Sequence, residues 1–376
     1  MALGGRRRGL AGEMGKRILI VGYFGFDNVG DETILQVECE RLRQLRSDLE
    51  LSVLMDNQAR ARELALTSYK RKSIYQIYQA IKAADLVLEG GGGLFQDSTG
   101  PGSVMYYGSI LAAATMLQKP SFLLSHGFGP IRTDLGKLLA KSLLPLASKA
   151  TFRDAESLEE FKKFAPQVEA QVTADPVFLL KPGDSQKSQD VLSKCCLADA
   201  SAPVVVISVR SWLGLSIEKQ AKAYNDWWES LEVGNRPQFV IVPLQYWYDE
   251  GISKRLGSLL KAPSVVAPKL SGEEILALVA APQVEMTVAM RLHALILTAC
   301  AGKAMLGVAY DPKVANTCEL CGAPYLHLKE LDEENFAQKL TDAWEHRNDL
   351  ALQIRRQVEM LRAKADTAFT MAMEML

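Results

Sequence analysis

No segment of the chain holds the roughly 20 uninterrupted apolar residues that a membrane-spanning helix needs, so the sequence reads as a soluble protein. A charge of one sign is missing as well: 43 basic residues face 44 acidic ones, for a formal net charge of −1. The chain as a whole therefore offers nucleic acid no electrostatic footprint, and any anion it binds must be caught locally. Cysteine is sparse, and Cys39, Cys195, Cys196, Cys300, Cys318 and Cys321 form no dense framework, the usage of free thiols in a reducing compartment. Cys318 and Cys321 make a lone C-x-x-C with no second pair at zinc-site spacing, so no metal is expected. The first residues carry Arg6, Arg7 and Arg8 but no apolar stretch behind them, which excludes a secretory signal. Residues 1–15 read as a disordered extension, with Met14 a second candidate start.

What is present is the composition of a globular protein, 48% hydrophobic and 23% charged over 376 residues, a length that suits two domains. Short apolar runs at Ile18–Val21, Leu51–Leu54, Leu86–Leu88, Phe122–Leu124, Val204–Val209, Phe239–Val242, Met286–Val288 and Met305–Val308 alternate with helical stretches. That alternation predicts βαβ units, and continuous rather than alternating runs predict parallel strands covered on both faces. Leu35, Cys39, Leu42 and Leu45 recur at helical spacing among charged residues, which predicts a helix there. Between Leu180 and Pro203 the sequence turns polar and punctuated, and a boundary is expected there. The expected organisation is an N-terminal Rossmann-like domain over 16–182, a C-terminal one over 203–330, and helices over 331–376 packing back on the first domain.

In open parallel sheets ligands bind beyond the carboxyl ends of the strands, so the residues placed there carry the functional reading. The first strand empties into Gly22 to Glu32, where Gly25 and Asn28 precede a helix start that offers unpaired N–H groups to an anion. The spacing is not G-x-G-x-x-G and there is no Walker lysine, so dinucleotide and P-loop readings fail. Asp31 is either a functional carboxylate or the N-cap of that helix. A second strand ends in Gly90, Gly91, Gly92 and Gly93, followed by Gln96 and Asp97. Four glycines in a row cost chain entropy and point either to a close backbone approach by a ligand or to a tight turn.

Only four histidines exist, and two of them, His126 and His293, fall at expected strand ends. His126 is followed by Gly127 and Gly129, which open room beside it. Arg153 with Asp154, Arg210, and the stretch Gln245, Tyr246, Trp247, Tyr248 also follow strands. Arg291 and His293, at a loop-to-helix entry, present a cation and an imidazole together. The adjacent aromatics at 246–248 suit either stacking on a sugar ring or core packing.

The stretches Gly22 to Glu32, Gly90 to Gly93 with Gln96 and Asp97, His126 to Pro130, Arg153-Asp154, Ala174 to Pro176, Met290 to Ala294 and Ala309 to Lys313 run in order over nearly the whole chain. In that order they resemble the polysaccharide pyruvyl transferase family, within it the CsaB type of bacterial cell-wall polymer pyruvylation. One departure is His126, where relatives often read Gly-Gln-Gly-Ile-Gly-Pro, and this makes His293 the better catalytic candidate. The resemblance implies two Rossmann-like parallel-sheet domains facing a cleft, glycosyltransferase-B-like, with phosphoenolpyruvate as donor and no further cofactor. The product would be a pyruvate ketal on a sugar of a cell-surface polysaccharide or its lipid-linked precursor. A donor bearing phosphate and carboxylate calls for arginines with two-pronged geometry, for which Arg153, Arg210 and Arg291 are the candidates. His293 is the expected acid/base, with His126 the second choice, and Asp31 or Asp97 orients or deprotonates the acceptor hydroxyl. Gly25, Asn28, Gly91, Gly92, Gly93, Gln245 and Tyr246 complete the expected binding set. The implied location is the cytoplasm, with a lipid-linked acceptor bringing the enzyme to the inner membrane face. Two rivals stay open: a nucleotide-sugar-dependent glycosyltransferase of the same fold, and a non-catalytic carbohydrate-binding protein.

Overall fold

The computed structural model describes residues 15–98, 100–195 and 202–376, so the expected N-terminal extension lies outside the described residues except for Gly15. The first half builds an all-parallel sheet from β1 (Arg17–Val21), β2 (Glu50–Leu54), β3 (Thr67–Tyr69), β4 (Leu86–Glu89), β5 (Gly92–Phe95), β6 (Ser121–Phe128), β7 (Lys149–Phe152) and β8 (Glu169–Val172). Its order is β3-β2-β1-β4-β6-β7-β8, with β5 added beside β6. The connecting helices are α1 (Val29–Leu45), α2 (Gln58–Glu63), α3 (Ile74–Ala83), α4 (Gly102–Met116), α5 (Asp134–Leu143) and α6 (Ala155–Lys162).

The stretch in which the boundary was expected contains a helix, α7 (Ser185–Lys194), capped by Asp184. Its polar composition hides a narrow apolar side, for only Ser188, Val191 and Leu192 are buried. The second sheet is β9 (Val204–Ser208), β10 (Gln238–Ile241), β11 (Ser264–Val266), β12 (Val284–Ala289), β13 (Ala304–Ala309) and β14 (Tyr325–His327). It is also parallel, in the order β11-β10-β9-β12-β13-β14. Its helices are α8 (Ile217–Ser230), α9 (Tyr246–Leu259), α10 (Gly272–Ala280), α11 (Leu292–Cys300) and α12 (Pro312–Cys321), followed by α13 (Glu333–Glu345) and α14 (Arg347–Met373).

Continuous apolar strands do bury both faces. Ile18 and Ile20 of β1 face one cluster while Leu19 and Val21 face another; on β9, Val204 and Val206 face the first of these while Val205 and Ile207 face a third. The first cluster is shared: it joins the inner faces of both sheets and the apolar side of α14, including Ile354, Val358 and Phe369. The two domains thus meet over a common apolar layer. Of the C-terminal helices, α13 lies beside α8 in the third cluster through Phe336 and Leu340. Only α14 returns to the first domain, where Arg362 donates to the carbonyls of Phe178 at 3.1 Å and Leu180 at 3.2 Å, and Asp366 pairs with Arg41.

Both sheets reverse their winding next to their first strand, between β1 and β4 and between β9 and β12. A doubly wound sheet opens its ligand crevice at such a reversal. The loops leaving β1 and β4 therefore face those leaving β9 and β12.

Candidate active site in the interdomain cleft

The loop after β1 touches the second domain directly: the Val29 N–H donates to the Leu244 carbonyl at 2.9 Å, and Asn28 forms an isolated bridge with Gln245. Asn28 is the N-cap of α1, its side chain accepting from the Gly30 N–H at 3.2 Å. Of the two readings of Asp31, the cap is thereby excluded. Gly25 holds a φ of +83° and donates its N–H to Glu32, which shapes the loop.

Gly30 and His293 press together from opposite domains. A Cβ on Gly30 would lie 2.0 Å from the His293 Nδ1, so only glycine admits the imidazole here. His293 enters from the first turn of α11, and its Nε2 lies 3.6 Å from Oδ2 of Asp175, with no hydrogen-bond partner among the described residues. Asp175 in turn receives Arg153 Nη1 at 3.4 Å and the Val177 N–H at 3.1 Å. Burial alone would raise the Asp175 carboxyl, yet His293, Arg153 and that N–H hold it below its ordinary value. Arg153 also lies 3.6 Å from Asp154, which caps α6.

Asp31 sits in the same electrostatic neighbourhood. Low-dielectric walls raise its carboxyl to about 6, against the pull of His293, Lys313 and Arg153. A Cβ on Gly92, which has a φ of +104°, would lie 3.2 Å from the Asp31 Oδ1, so the glycine turn after β4 closes over that carboxylate. Its neighbour Gly91 donates its N–H at 2.7 Å to Glu38, a buried α1 carboxyl that burial pushes up to about 8. Gly93 is exposed, with open space at its Cβ. Arg153, Asp175 and His293 thus form a chain of ion pairs across the cleft, with Asp31 in the field of Arg153, His293 and Lys313, whose ammonium lies 3.5 Å from Asp311.

Other expected site residues stand elsewhere. His126 is not at a strand end: β6 runs on to Phe128, and His126 is 0% exposed inside the sheet with Nε2 3.0 Å from the Glu89 carbonyl. Burial lowers its imidazole to about 4, so it stays neutral near pH 7. Two glycines after it suggested a loop, but Gly127 serves close packing, since a Cβ there would strike the Arg153 guanidinium. Asp97 is equally occupied, accepting from the N–H groups of Arg132 and Thr133 and from the Thr133 hydroxyl at 2.7–2.9 Å. Burial would raise it, and these donors hold it below its ordinary value. It pins the turn after β6.

Arg291 has spent its two-pronged geometry internally. Nε and Nη2 both reach Asp249, the former at 2.9 Å, and Nη2 also lies 3.5 Å from Gln245 Oε1. Since Asp249 Oδ2 accepts the Gln245 N–H at 2.9 Å, this pair braces the β10 and β12 loops against each other. Arg210 donates from Nη1 to the Tyr310 hydroxyl at 2.9 Å and lies over the rings of Trp212 and Tyr310. Tyr246 donates its hydroxyl to Glu250 at 3.0 Å, while Trp247 and Tyr248 beside it are solvent-facing, not core. Beyond these side chains, a cavity of about 650 Å³ opens by Arg210, lined by Trp212, Tyr310, Asn316 and, from the first domain, Glu156.

Asp175 and Lys313 were absent from the expected site set. Both nevertheless lie in stretches that carry the family resemblance, Ala174 to Pro176 and Ala309 to Lys313. Cys318 and Cys321 lie buried on α12, where burial pushes the Cys318 thiol up to about 12.

The chain matches the family model described as polysaccharide pyruvyl transferase over residues 28–312. No curated protein matches. Among solved structures it is similar to Staphylococcus aureus MnaA in its UDP co-structure, with 13% identity, 93% of this chain and 92% of that one covered, and a TM-score of 0.64. It is similar to the UDP-GlcNAc 2-epimerase of Neisseria meningitidis bound to UDP-GlcNAc at 11% identity, 96% and 99% coverage and a TM-score of 0.62. Anabaena HepE in complex with UDP-glucose gives 12%, 96%, 98% and 0.60. At such identities these likenesses establish the two-domain, glycosyltransferase-B-like fold alone.

Proposed function

The chain belongs to the polysaccharide pyruvyl transferase family, and on that footing we propose that it transfers a pyruvyl group from phosphoenolpyruvate to a sugar, as a ketal, and releases phosphate. The acceptor we assign is a cell-surface polysaccharide or its lipid-linked precursor, in the manner of the CsaB type. The observation that carries this reading is that His293 of the second domain stands 3.6 Å from Asp175 of the first, with Arg153 on that same carboxylate at 3.4 Å and the buried Asp31 in the field of His293 and Arg153.

Two sugar hydroxyls add to C2 of the donor, one proton goes to the C3 methylene to make a methyl group, and the C2–O bond to phosphate breaks with the second proton leaving on phosphate. His293 supplies the proton to the methylene carbon, and Asp175 behind it steadies the imidazolium. Asp31, with a carboxyl raised to about 6, is a base of the right strength to accept a hydroxyl proton near neutrality. Arg153 and Lys313 hold the donor's phosphate and carboxylate. Arg291, locked to Asp249, shapes the loop that presents His293. Asp97 and His126 are left to the scaffold.

A second reading draws on the neighbours, whose structures hold UDP or UDP-sugars: a nucleotide-sugar transferase. One assay separates them. The protein is incubated with phosphoenolpyruvate or with UDP-sugars over a panel of neutral and amino-sugar acceptors. Acceptor-dependent phosphate release from phosphoenolpyruvate supports pyruvyl transfer, whereas nucleotide release with inert phosphoenolpyruvate overturns it.

A further inference from the structure

Beside the cleft mouth the first domain carries an apolar surface that no element among the described residues covers. On α3, Ile74 is 86% exposed and Tyr75 71%, while the helix turns Ala80 and Ile81 inward. Ser73 caps the helix and fixes that register, so the outward placement of Ile74 is built in. Across the mouth, Trp247 and Tyr248 at the start of α9 are 71% and 72% exposed. The two parts are continuous. Arg71 lies 4.7 Å over the Phe26 ring, Phe26 stacks on Tyr23 at 4.3 Å, and Trp247 Nε1 reaches Asp27 at 3.3 Å.

The charge beside the start of α3 is basic: Lys70, Arg71 and Lys72 lead directly into the helix with no acidic residue between Glu63 and Asp85, and the one carboxylate linked to Trp247, Asp27, is paired with Lys269 at 2.8 Å. In a chain of formal charge −1 that is a local concentration, not a general basicity. Exposed Ile beside Tyr and Trp, framed by lysines and arginine, is the combination that sits at a bilayer's headgroup level, rings and aliphatic tips down and cations among anionic phosphates.

We propose that this face seats the protein on an anionic lipid surface, with α3 lying along the headgroups and the cleft mouth opening beside them. The inference leans on the proposed reaction for its purpose, since a lipid-linked acceptor would then reach the cleft from the membrane side.

The test is co-sedimentation of the full chain with vesicles of phosphatidylethanolamine and phosphatidylglycerol, against phosphatidylcholine alone, at rising salt. The expected result is binding to the anionic vesicles that weakens with salt. Ile74→Glu with Tyr75→Glu, and separately Lys70→Glu with Lys72→Glu, should each lower it at least about tenfold without moving the melting temperature, these side chains lying outside the core. Absence of wild-type binding, or equal binding by the variants, overturns the proposal. A dimer in solution that Ile74→Glu dissociates also overturns it, by giving the face to a second copy. Phosphate release with a water-soluble acceptor, measured in parallel, reads the reaction separately, so failure of one assay leaves the other informative.

Discussion

The Nε2 of His293 faces Oδ2 of Asp175 at 3.6 Å across the domain boundary, and Asp175 is shared with Arg153 at 3.4 Å. The carboxylate lies on the first domain and the imidazole on the second, so the pair exists only when the cleft is assembled. Asp175→Asn keeps the shape but removes the charge that orients His293. Turnover should fall by about 10²-fold, and loss of the buried partner of Arg153 should cost roughly 3 kcal/mol of stability. Steady-state kinetics and denaturant unfolding check this, and unchanged turnover would dismiss the orienting role.

His293→Ala should lower turnover at saturating donor by about 10²- to 10⁴-fold, the range for a lost general acid, while the donor's Michaelis constant changes little. A raised Michaelis constant with normal turnover would make His293 a binding group instead.

Asp31 supplies a pH dependence. In the proposed reaction it is the base, and with its carboxyl at about 6 it is inactive when protonated, so kcat should climb as pH rises through that value. In Asp31→Asn the climb should vanish along with most of the activity. Persistence of the same limb in that variant would assign it to another group.

Gly30→Ala places a Cβ 2.0 Å from the His293 Nδ1. Either the imidazole or the α1 start must shift, at a cost of about 1–3 kcal/mol for overpacking. The expected outcome is a lower turnover with a modest drop in melting temperature, and wild-type values in both would contradict the close approach.

Arg291→Lys keeps a cation but cannot make the paired bonds to Asp249. The expected loss is in stability first, read by thermal unfolding, and Asp249→Ala should be worse, at about 3–5 kcal/mol, because it strands a buried guanidinium. Full stability in both, with a raised Michaelis constant for phosphoenolpyruvate in Arg291→Lys, would return Arg291 to donor binding.

Buried carboxyls set the alkaline limit of stability. Burial lifts Glu38 to about 8 and Glu89 well above its ordinary value, and both Glu89 oxygens lack a hydrogen-bond partner among the described residues. Both groups are protonated in the fold at pH values where the unfolded chain has already released the proton. The stability they lend is complete below the unfolded value near 4.5 and drains away as pH rises through the folded one. Glu89→Gln, which stays neutral, should therefore melt above wild type at pH 8 and close to it at pH 4. Parallel melting curves at both pH values would refute the claim.

The alternation of apolar runs and helical stretches was enough to read parallel sheets, because strands buried on both faces must be apolar along their length, as Ile18–Val21 and Val204–Ile207 are. The entry of His293 into a helix, and the glycines after β4, were legible for the same local reason. Partnership was not. Whether Arg291 would meet a substrate or Asp249, separated from it by 42 positions, depends on how the β10 and β12 loops pack, and neither segment encodes the other. His126 looked like a strand-end residue because two glycines follow it, yet pairing with β5 and β7 extends β6 past it, a non-local decision. Asp175 and Lys313 gained their place only through the meeting of the two domains, which the shared apolar layer and α14 bring about. Periodicity and capping are written within about ten residues, whereas the charge balance of a cleft is set by side chains that only the tertiary structure brings within a few ångströms.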